Sequence, residues 1–161
     1  MELKIRTGIG YDVHRLAPGH SLVLGGVEIP SPLGLIGWSD ADVLVHSIID
    51  ALLGAAALGD IGSHFPPGDP QYKDISSLVL LEKVGAMLDE KGFKVANVDA
   101  TIVAEQPKLR DFIFGMRRNL SQALGIATDL VSVKASTSEQ LGFVGRGEGM
   151  AAWAVATIVK K

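Results

Sequence analysis

The sequence predicts an α/β sandwich of the α+β type, in which a single mixed β-sheet has its helices packed on one face. Segments with strand and helix periodicity follow one another in the order β, β, α, α, β, α, β, β. The 161 residues are 47% hydrophobic and 20% charged, the balance of one globular domain that spans residues 1–161. No internal repeat or linker divides the chain. The second face of the sheet also needs a cover, which a symmetry-related subunit would provide.

The first half of the chain supplies two strand segments and a long apolar helix. Residues 4–14 and 21–29 have the composition of strands, with a Leu-Gly-Gly turn or bulge inside the second. A helix begins at Ser39 or Asp40, residues that favour the N-cap position, and ends near Leu58. The segment FPPGDP follows and is predicted to be a loop, because its prolines prevent regular pairing.

The second half of the chain alternates helices and strands. Residues 75–91 form a helix, with leucine and valine at helical spacing and a glycine after the last turn. Residues 93–105 have the β-branched composition of a strand. A third helix spans residues 109–124, and the last strands cover residues 130–135 and 150–159.

Composition and charge exclude several classes of partner. The net charge of −3 and the pI near 5.8 leave no basic surface for nucleic acid or an anionic membrane. The absence of cysteine excludes thiolate chemistry, leaves His, Asp and Glu as metal ligands, and fits a reducing cytoplasm. No signal peptide or bilayer-spanning apolar run is present, so we expect a cytoplasmic protein. The mean hydropathy of +0.29 indicates a homo-oligomer.

Two segments carry residues that commonly bind metals. Asp12 and His14 are two positions apart on a predicted strand, so their side chains share one face. On the following helix, Asp42, His46 and Asp50 recur every four residues and form one stripe. A satisfied core histidine bonded to Asp42 or Asp50 is one interpretation of His46. The other is a catalytic zinc site, in which Asp12, His14 and His46 leave the fourth position open.

Three further segments suit polar ligands. Asp60 lies in a turn where it could accept hydrogen bonds from ligand hydroxyls, or form an ordinary Asx-turn. The segment at 134–143 contains three hydroxyl residues followed by Glu139, which could hold a hard cation that bridges a diphosphate. Alternatively, Ser136 and Glu139 form a capping box. Arg146 is an isolated guanidinium for an anion, or a solvated turn residue.

Six segments in order along the chain point to one family: GIGYDVHRL, SDADVLVHSIIDALLGAAALGDIG, FPP, EQPK, KASTSEQLGF and GRGEG. With them the sequence resembles the 2-C-methyl-D-erythritol 2,4-cyclodiphosphate synthase family of the non-mevalonate isoprenoid pathway. The resemblance covers nearly the whole chain. It implies a homotrimeric phosphorus–oxygen lyase with active sites between subunits. The family substrate is 4-diphosphocytidyl-2-C-methyl-D-erythritol 2-phosphate, which cyclises with release of CMP.

The resemblance also implies roles for individual residues. Zn²⁺ would bind Asp12, His14 and His46, and Mg²⁺ or Mn²⁺ would bind Glu139 through the diphosphate. Catalytic positions fall to Thr137, Trp38 and Ser39. The substrate-binding positions fall into four groups. Asp60, Ile61 and Gly62 would bind the erythritol hydroxyls, and a flexible flap would consist of Phe65, Pro66, Pro67, Gly68 and Asp69. The cytidine and its phosphates would contact Ala104, Pro107, Lys108, Leu109, Arg110, Ala135 and Ser136, with Ser138 as a further substrate-binding position. Phe143 and Arg146 would line a central cavity of the trimer that takes an isoprenoid diphosphate.

One position departs from the family pattern, and two other functions stay open. The family usually has His-Ser-Asp where this chain has Trp38-Ser39-Asp40, and an indole donates one N–H but relays no proton. Ser39 and backbone amides would then bind the phosphate, and His64 is a candidate to replace the imidazole. A zinc-dependent phosphohydrolase would use the same three ligands to activate water. A non-catalytic trimeric module would hold zinc structurally.

Overall fold

Seven strands and five α-helices occur in residues 4–161, the part of the chain that the computed structural model describes. The strands are β1 (Ile5–Ala17), β2 (Leu22–Leu24), β3 (Val27–Ile29), β4 (Gly34–Leu35), β5 (Phe93–Val103), β6 (Val131–Ser136) and β7 (Gly149–Lys160). The helices are α1 (Val43–Ala55), α2 (Ile61–His64), α3 (Ser77–Glu90), α4 (Ile113–Leu124) and α5 (Gly142–Gly145).

The main sheet has the strand order β4-β1-β7-β5-β6, and β2 and β3 form a separate hairpin. Strands β5 and β6 pair in parallel, whereas the other neighbours pair antiparallel. Helix α1 packs on β1 and β7, α3 packs on β5, and α4 packs on β6. The predicted mixed sheet with helices on one face is therefore confirmed. No helix of the described residues is long and apolar enough to cross a bilayer.

Two glycines of β1 let α1 lie directly on the strand backbone. A Cβ atom at Gly10 would lie 1.8 Å from the carbonyl oxygen of Ser47, and one at Gly8 would lie 2.0 Å from that of Ala51. No side chain fits in either gap, so the helix approaches as closely as the two backbones allow. This contact fixes the height of α1 above the part of β1 that carries Asp12 and His14.

The opposite face of β1 and β7 is open to solvent and apolar. Ile9 and Tyr11 on β1 pair with Val155 and Trp153 on β7, and the Tyr11 and Trp153 ring centroids are 4.7 Å apart. All four side chains are exposed, as is Val13. Residues of β1 thus alternate between the helix-covered and the open face, as the sequence predicts.

The start of α1 is later than predicted because of one buried carboxylate. Asp42 rather than Ser39 or Asp40 is the N-cap, and its side chain accepts a hydrogen bond from the Val45 N–H. The same carboxylate accepts the N–H groups of Gly25 and Gly26, in the turn between β2 and β3. The N-terminus of α1 is therefore joined to the hairpin, and the three residues before Val43 remain as a loop.

The end of α1 is earlier than the predicted Leu58. Ala57 adopts a left-handed conformation with φ 58°, and the Leu58 N–H donates to the carbonyl oxygen of Leu53 at 2.9 Å. This six-to-one hydrogen bond is the Schellman pattern that ends helices. The chain then turns directly into α2, which brings residues 60–65 back beside the first strand.

Candidate active site

The three predicted metal ligands meet between β1 and α1. Asp12 Oδ2 lies 3.0 Å from His14 Nε2 and 3.1 Å from His46 Nδ1, and the two ring nitrogens are 3.2 Å apart. Ligand atoms of a tetrahedral zinc ion, at bond lengths of about 2.1 Å, are separated by about 3.4 Å. The triangle therefore matches one face of a zinc coordination shell, and the chemistry of the donor set fits this ion.

Hydrogen bonds on the far side of each ring orient the two histidines. His14 Nδ1 donates to the Ile36 carbonyl oxygen at 2.8 Å, which leaves the Nε2 lone pair facing Asp12. His46 Nε2 lies 2.8 Å from the Ser77 hydroxyl, so Nδ1 is the nitrogen that faces Asp12. Two lone pairs and a carboxylate converge on one point, an arrangement that a cation stabilises.

The pKa values of the acid and of one imidazole are shifted in opposite directions. Burial raises the pKa of Asp12, but the hydrogen bonds and charges of His14 and His46 outweigh it and lower the pKa to about 2. Burial lowers the pKa of His14, but the Asp12 carboxylate outweighs it and raises that pKa above its usual value. A proton therefore competes with a metal ion for the His14 nitrogen.

A cavity of about 300 Å³ opens beside the triad. Besides the three ligands it is lined by Trp38, Ser39, Ile61, Gly62, Phe65, Pro67, Tyr72 and Leu80. The polar groups are concentrated at the ligand end, and aromatic and aliphatic side chains form the remaining wall. The open side of the triad thus faces a space that a small ligand could enter.

The carboxylates that flank His46 on α1 do not bind it. Asp42 caps the helix, and Asp50 accepts the Ile61 N–H at 2.8 Å. The interpretation of His46 as a core histidine bonded to Asp42 or Asp50 is therefore wrong. Asp50 instead joins α1 to α2, which helps to place Ile61 in the cavity wall.

Residues 60–65 form a short helical turn at the cavity entrance. Asp60 caps α2, because its Oδ1 accepts both the N–H and the hydroxyl of Ser63 at 2.9 and 2.7 Å. Asp60 is therefore a helix N-cap that bonds three residues on, rather than an Asx-turn that bonds two residues on, and its Oδ2 is available for a ligand hydroxyl. His64 Nε2 lies 2.8 Å from the Leu58 carbonyl oxygen, and His64 does not line the cavity. The geometry does not favour His64 as a replacement imidazole.

Trp38 directly contacts the predicted flap, which spans residues 65–69. Its indole N–H donates to the Asp69 carbonyl oxygen at 2.9 Å, and its own carbonyl oxygen accepts the Asp74 N–H at 2.9 Å. These two bonds hold the segment from Pro66 to Asp74 beside the metal ligands. Pro67 reaches the cavity wall, whereas Pro66 and Gly68 are exposed.

A second cavity of about 440 Å³ collects the predicted cytidine-binding positions. Ile113 also lines it, although no motif or spacing in the sequence pointed to this residue. Glu105, which belongs to the EQPK segment, completes the lining together with the predicted residues Ala104, Pro107, Lys108, Leu109, Arg110, Ala135, Ser136 and Thr137.

The hydroxyl-rich segment after β6 is a strained loop held by Glu105. Glu105 Oε1 accepts the N–H groups of Ser138 and Gln140 at 2.8 and 3.3 Å. Glu139 and Gln140 have left-handed backbones, with φ of 51° and 62°. The Thr137 hydroxyl donates to the Glu139 carboxylate at 3.3 Å. The two side chains that would bind a cation and a diphosphate are therefore adjacent.

The capping box predicted for Ser136 and Glu139 is wrong. Ser136 ends β6, and its hydroxyl donates to the carbonyl oxygen of Thr137. The next helix, α5, begins at Gly142, six residues beyond Ser136. Arg146 is also not isolated, because its Nε donates to Glu148 at 2.7 Å.

The sequence profile of the YgbB family matches residues 5–159. The chain belongs to the YgbB family.

Close relatives in this family match over almost their full length. A curated protein of Dehalococcoides mccartyi, called 2-C-methyl-D-erythritol 2,4-cyclodiphosphate synthase, is 69% identical over 98% of this chain and 100% of its own. A protein of the same name from Alkaliphilus metalliredigens is 58% identical over 96% of this chain and 97% of its own.

Solved structures share the fold. The bifunctional IspDF of Campylobacter jejuni is 41% identical with a TM-score of 0.95, covering 99% of this chain and 43% of that chain. The CDP complex of Plasmodium falciparum IspF is 31% identical with a TM-score of 0.86, covering 100% of this chain and 99% of that chain.

In this YgbB family member the two cavities have no lining residue in common within residues 4–161. The metal ligands lie on β1 and α1, whereas Ala135 and Ser136 lie on β6. Strands β7 and β5 lie between β1 and β6 in the sheet. At the usual spacing of neighbouring strands, β1 and β6 are therefore about 14 Å apart. One chain thus carries two separate parts of the candidate site. We call Asp12, His14 and His46 the metal half, and the segment after β6 with Thr137 and Glu139 the hydroxyl-loop half.

Phe143 and Arg146 line different cavities. Phe143 lines a cleft of about 260 Å³ with Val13 and Glu148, whereas Arg146 lines a cavity of about 500 Å³ beside Leu16. Neither residue lines the cavity at the metal triad. Their predicted place in a central cavity therefore depends on neighbouring subunits.

Proposed function

We propose that this chain is a metal-dependent 2-C-methyl-D-erythritol 2,4-cyclodiphosphate synthase. The observation that carries the proposal is the Asp12–His14–His46 triangle, which opens onto a ligand-sized cavity in a chain 69% identical to a curated enzyme of that name. An oxygen of the substrate 2-phosphate attacks the β-phosphorus and forms a new P–O bond. The bond between that phosphorus and the α-phosphate oxygen breaks, and CMP leaves with the electron pair.

Asp12, His14 and His46 would hold Zn²⁺, and Glu139 would hold Mg²⁺ or Mn²⁺ through the diphosphate. Both ions supply positive charge that offsets the repulsion between the anionic nucleophile and the anionic phosphorus group. The hydroxyl of Ser39 lines the metal cavity and would donate to the 2-phosphate. Thr137, at the second cavity, would donate to the diphosphate as charge develops on it.

Substrate positions follow the two cavities. Asp60 Oδ2, Ile61 and Gly62 would bind the erythritol hydroxyls, because they lie at the entrance of the metal cavity. The cytidine would occupy the cavity between residues 104–110 and the end of β6. The CDP bound to the Plasmodium falciparum relative supports a cytidine diphosphate as the ligand class.

The active protein is proposed to be a homotrimer with active sites between subunits. The metal half and the hydroxyl-loop half lie about 14 Å apart in one chain by strand spacing, too far for both to contact one diphosphate. The open apolar face at Ile9, Tyr11 and Trp153 supplies a surface for subunit contact. The trimer's centre would then bring Phe143 and Arg146 of each subunit around a cavity for an isoprenoid diphosphate.

The lack of cysteine supports a location of the protein in the reducing cytoplasm.

Product analysis tests the activity. The purified protein is incubated with the cytidine substrate, Zn²⁺ and Mg²⁺, and the products are followed by phosphorus NMR with and without a chelator. We expect equimolar CMP and cyclic diphosphate, both abolished by the chelator. An open monophosphate product would favour the phosphohydrolase. No turnover with stoichiometric zinc would favour the non-catalytic module.

Mixing two inactive variants tests the shared site. His46→Gln removes the metal half and Thr137→Val removes a hydroxyl of the other half. If each site takes its halves from different subunits, co-expression restores about a quarter of the sites, because half of the subunits keep each intact half. If both halves act within one subunit, the mixed protein stays as inactive as either variant alone.

A further inference from the structure

We propose that Ser77 and Asp40 are positioning residues that hold His46 in the orientation and tautomer required to bind the metal. The proposal deepens the proposed metal-dependent function and rests on it. Ser77 is the first residue of α3 and is fully buried, and Asp40 lies in the loop before α1. The two residues are 37 positions apart in sequence.

The direction of the hydrogen bonds follows from the groups involved. The Asp40 carboxylate only accepts, so the Ser77 hydroxyl donates its proton to Asp40 Oδ1. The oxygen of Ser77 is then an acceptor for the His46 Nε2–H at 2.8 Å. His46 therefore carries its proton on Nε2, and the Nδ1 lone pair points at Asp12 and His14.

Without this pair, Asp12 would draw the His46 proton to the wrong nitrogen. Asp12 Oδ2 lies 3.1 Å from His46 Nδ1, close enough to accept a proton there. A proton on Nδ1 blocks the position that a metal must occupy. The negative charge of Asp40, transmitted through the Ser77 hydroxyl, favours the opposite tautomer.

The same arrangement leaves the Ser39 hydroxyl available to substrate. Ser39 Oγ lies 3.1 Å from His46 Nε2, but Ser77 is the nearer acceptor at 2.8 Å. Ser39 also lines the cavity at the metal triad. Because Ser77 satisfies the imidazole, the Ser39 proton is free to turn toward a phosphate oxygen.

The backbone offers a way to remove the hydroxyl alone. The Ser77 N–H donates separately to Asp40 Oδ2 at 3.0 Å, which caps the start of α3. Ser77→Ala keeps this bond and deletes only the hydroxyl. Ser47→Ala is the matched control, because Ser47 is equally buried, lies next to His46 on α1, and donates only to the Leu44 carbonyl oxygen.

Zinc affinity is measured by competition with a chromophoric chelator, in the absence of substrate. We expect Ser77→Ala to weaken zinc binding by about 10- to 100-fold, the usual cost of losing a partner of a metal-bound histidine. Ser47→Ala should stay within about twofold of the wild type. Asp40→Asn keeps an acceptor but loses the charge, so its effect should be smaller than that of Ser77→Ala.

Proton NMR of the zinc-loaded protein supplies a second measurement. In the wild type we expect slowly exchanging imidazole N–H signals from His14 Nδ1 and His46 Nε2, in addition to one from His64 Nε2, which donates to the Leu58 carbonyl oxygen. In Ser77→Ala the His46 signal should be lost to solvent exchange, while the His14 signal persists as an internal control.

Two outcomes would overturn the proposal. One is wild-type zinc affinity with the His14 and His46 N–H signals both retained in Ser77→Ala. The other is an equal loss of affinity in Ser47→Ala, which would indicate general loosening of α1. Both measurements need zinc alone, so a wild-type protein that binds zinc but releases no CMP would contradict the proposed function and leave this inference standing.

Discussion

The metal triad and the hydroxyl loop differ in how completely one chain organises them. Both ring nitrogens of His14 and of His46 have a polar partner, and His46 is buried. Thr137 and Glu139 are exposed and contact each other at 3.3 Å, and Glu105 holds the backbone that carries them. The comparison indicates that the metal half is preorganised within the subunit, whereas the substrate and the proposed neighbouring subunit would complete the contacts of the exposed loop side chains.

The largest expected effect is at the metal half. His46→Gln removes one of three ligands, so we expect activity to fall by more than about a thousandfold, because the metal contributes several kcal/mol to charge stabilisation. Zinc content, measured by atomic emission, should fall with it. His20→Gln, which changes an exposed histidine outside the triad, should match the wild type. Full zinc content in His46→Gln would contradict the assignment.

The loop half should affect rate without affecting zinc. Thr137→Val removes a donor to the diphosphate, and we expect kcat to fall by about a hundredfold. Zinc affinity should equal that of the wild type, because Thr137 does not touch the triad. If Thr137→Val loses zinc as well, the two halves are not independent within the subunit.

The pH should act on the metal half alone. In the zinc-free protein, Asp12 raises the pKa of His14, so their pairing contributes stability below about pH 6.5 that is lost as the pH rises through the raised value. Zinc displaces that proton, and its affinity should fall about tenfold per pH unit below the raised pKa. The zinc-dependent increase in Tm should therefore grow with pH. An increase that is the same at pH 6 and pH 8 would contradict this coupling.

A smaller effect is expected from changing Glu105, which holds the backbone of the hydroxyl-rich loop. Glu105→Gln replaces a carboxylate that accepts two backbone N–H groups by a weaker acceptor, and we expect kcat to fall by about tenfold. Hydrogen exchange at Ser138 and Gln140 should accelerate. Glu82→Gln on the exposed side of α3 provides the control. Unchanged exchange with reduced kcat would instead indicate direct contact between Glu105 and substrate.

The smallest effect is expected at the flap. Trp38→Phe keeps an aromatic wall but loses the hydrogen bond to the Asp69 carbonyl oxygen, and we expect KM to rise about threefold with little change in kcat. Limited proteolysis between Pro66 and Asp74 should become faster. Phe114→Leu, which changes an exposed aromatic residue of α4 outside the metal cavity, is the control and should leave KM unchanged. A large fall in kcat would give Trp38 a role in the chemical step.

The sequence predicted the long elements and the cluster of candidate metal ligands, because both follow from short-range patterns. Period-2 alternation placed Asp12 and His14 on one face of β1, and the apolar helix placed His46 opposite them. Strand β4 and helices α2 and α5 were missed, because two to four residues are too few to show a period.

Long-range partners could not be predicted from spacing. Asp40 and Ser77 meet across 37 residues, and Glu105 meets Ser138 across 33. The position of the α1 start was missed for the same reason: Asp42 caps the helix in competition with Ser39 and Asp40, and its selection depends on Gly25 and Gly26 of the hairpin.

The closeness of β1 and α1 has a consequence for variants that touch no functional group. Any side chain at Gly8 or Gly10 would collide with the helix backbone and push the strand away, carrying two ligands off the third. A mutagenesis survey would therefore record loss of zinc at positions that have neither charge nor hydrogen-bonding side chain. The spacing of the three candidate ligands thus depends on Gly8 and Gly10, which act through having no side chain.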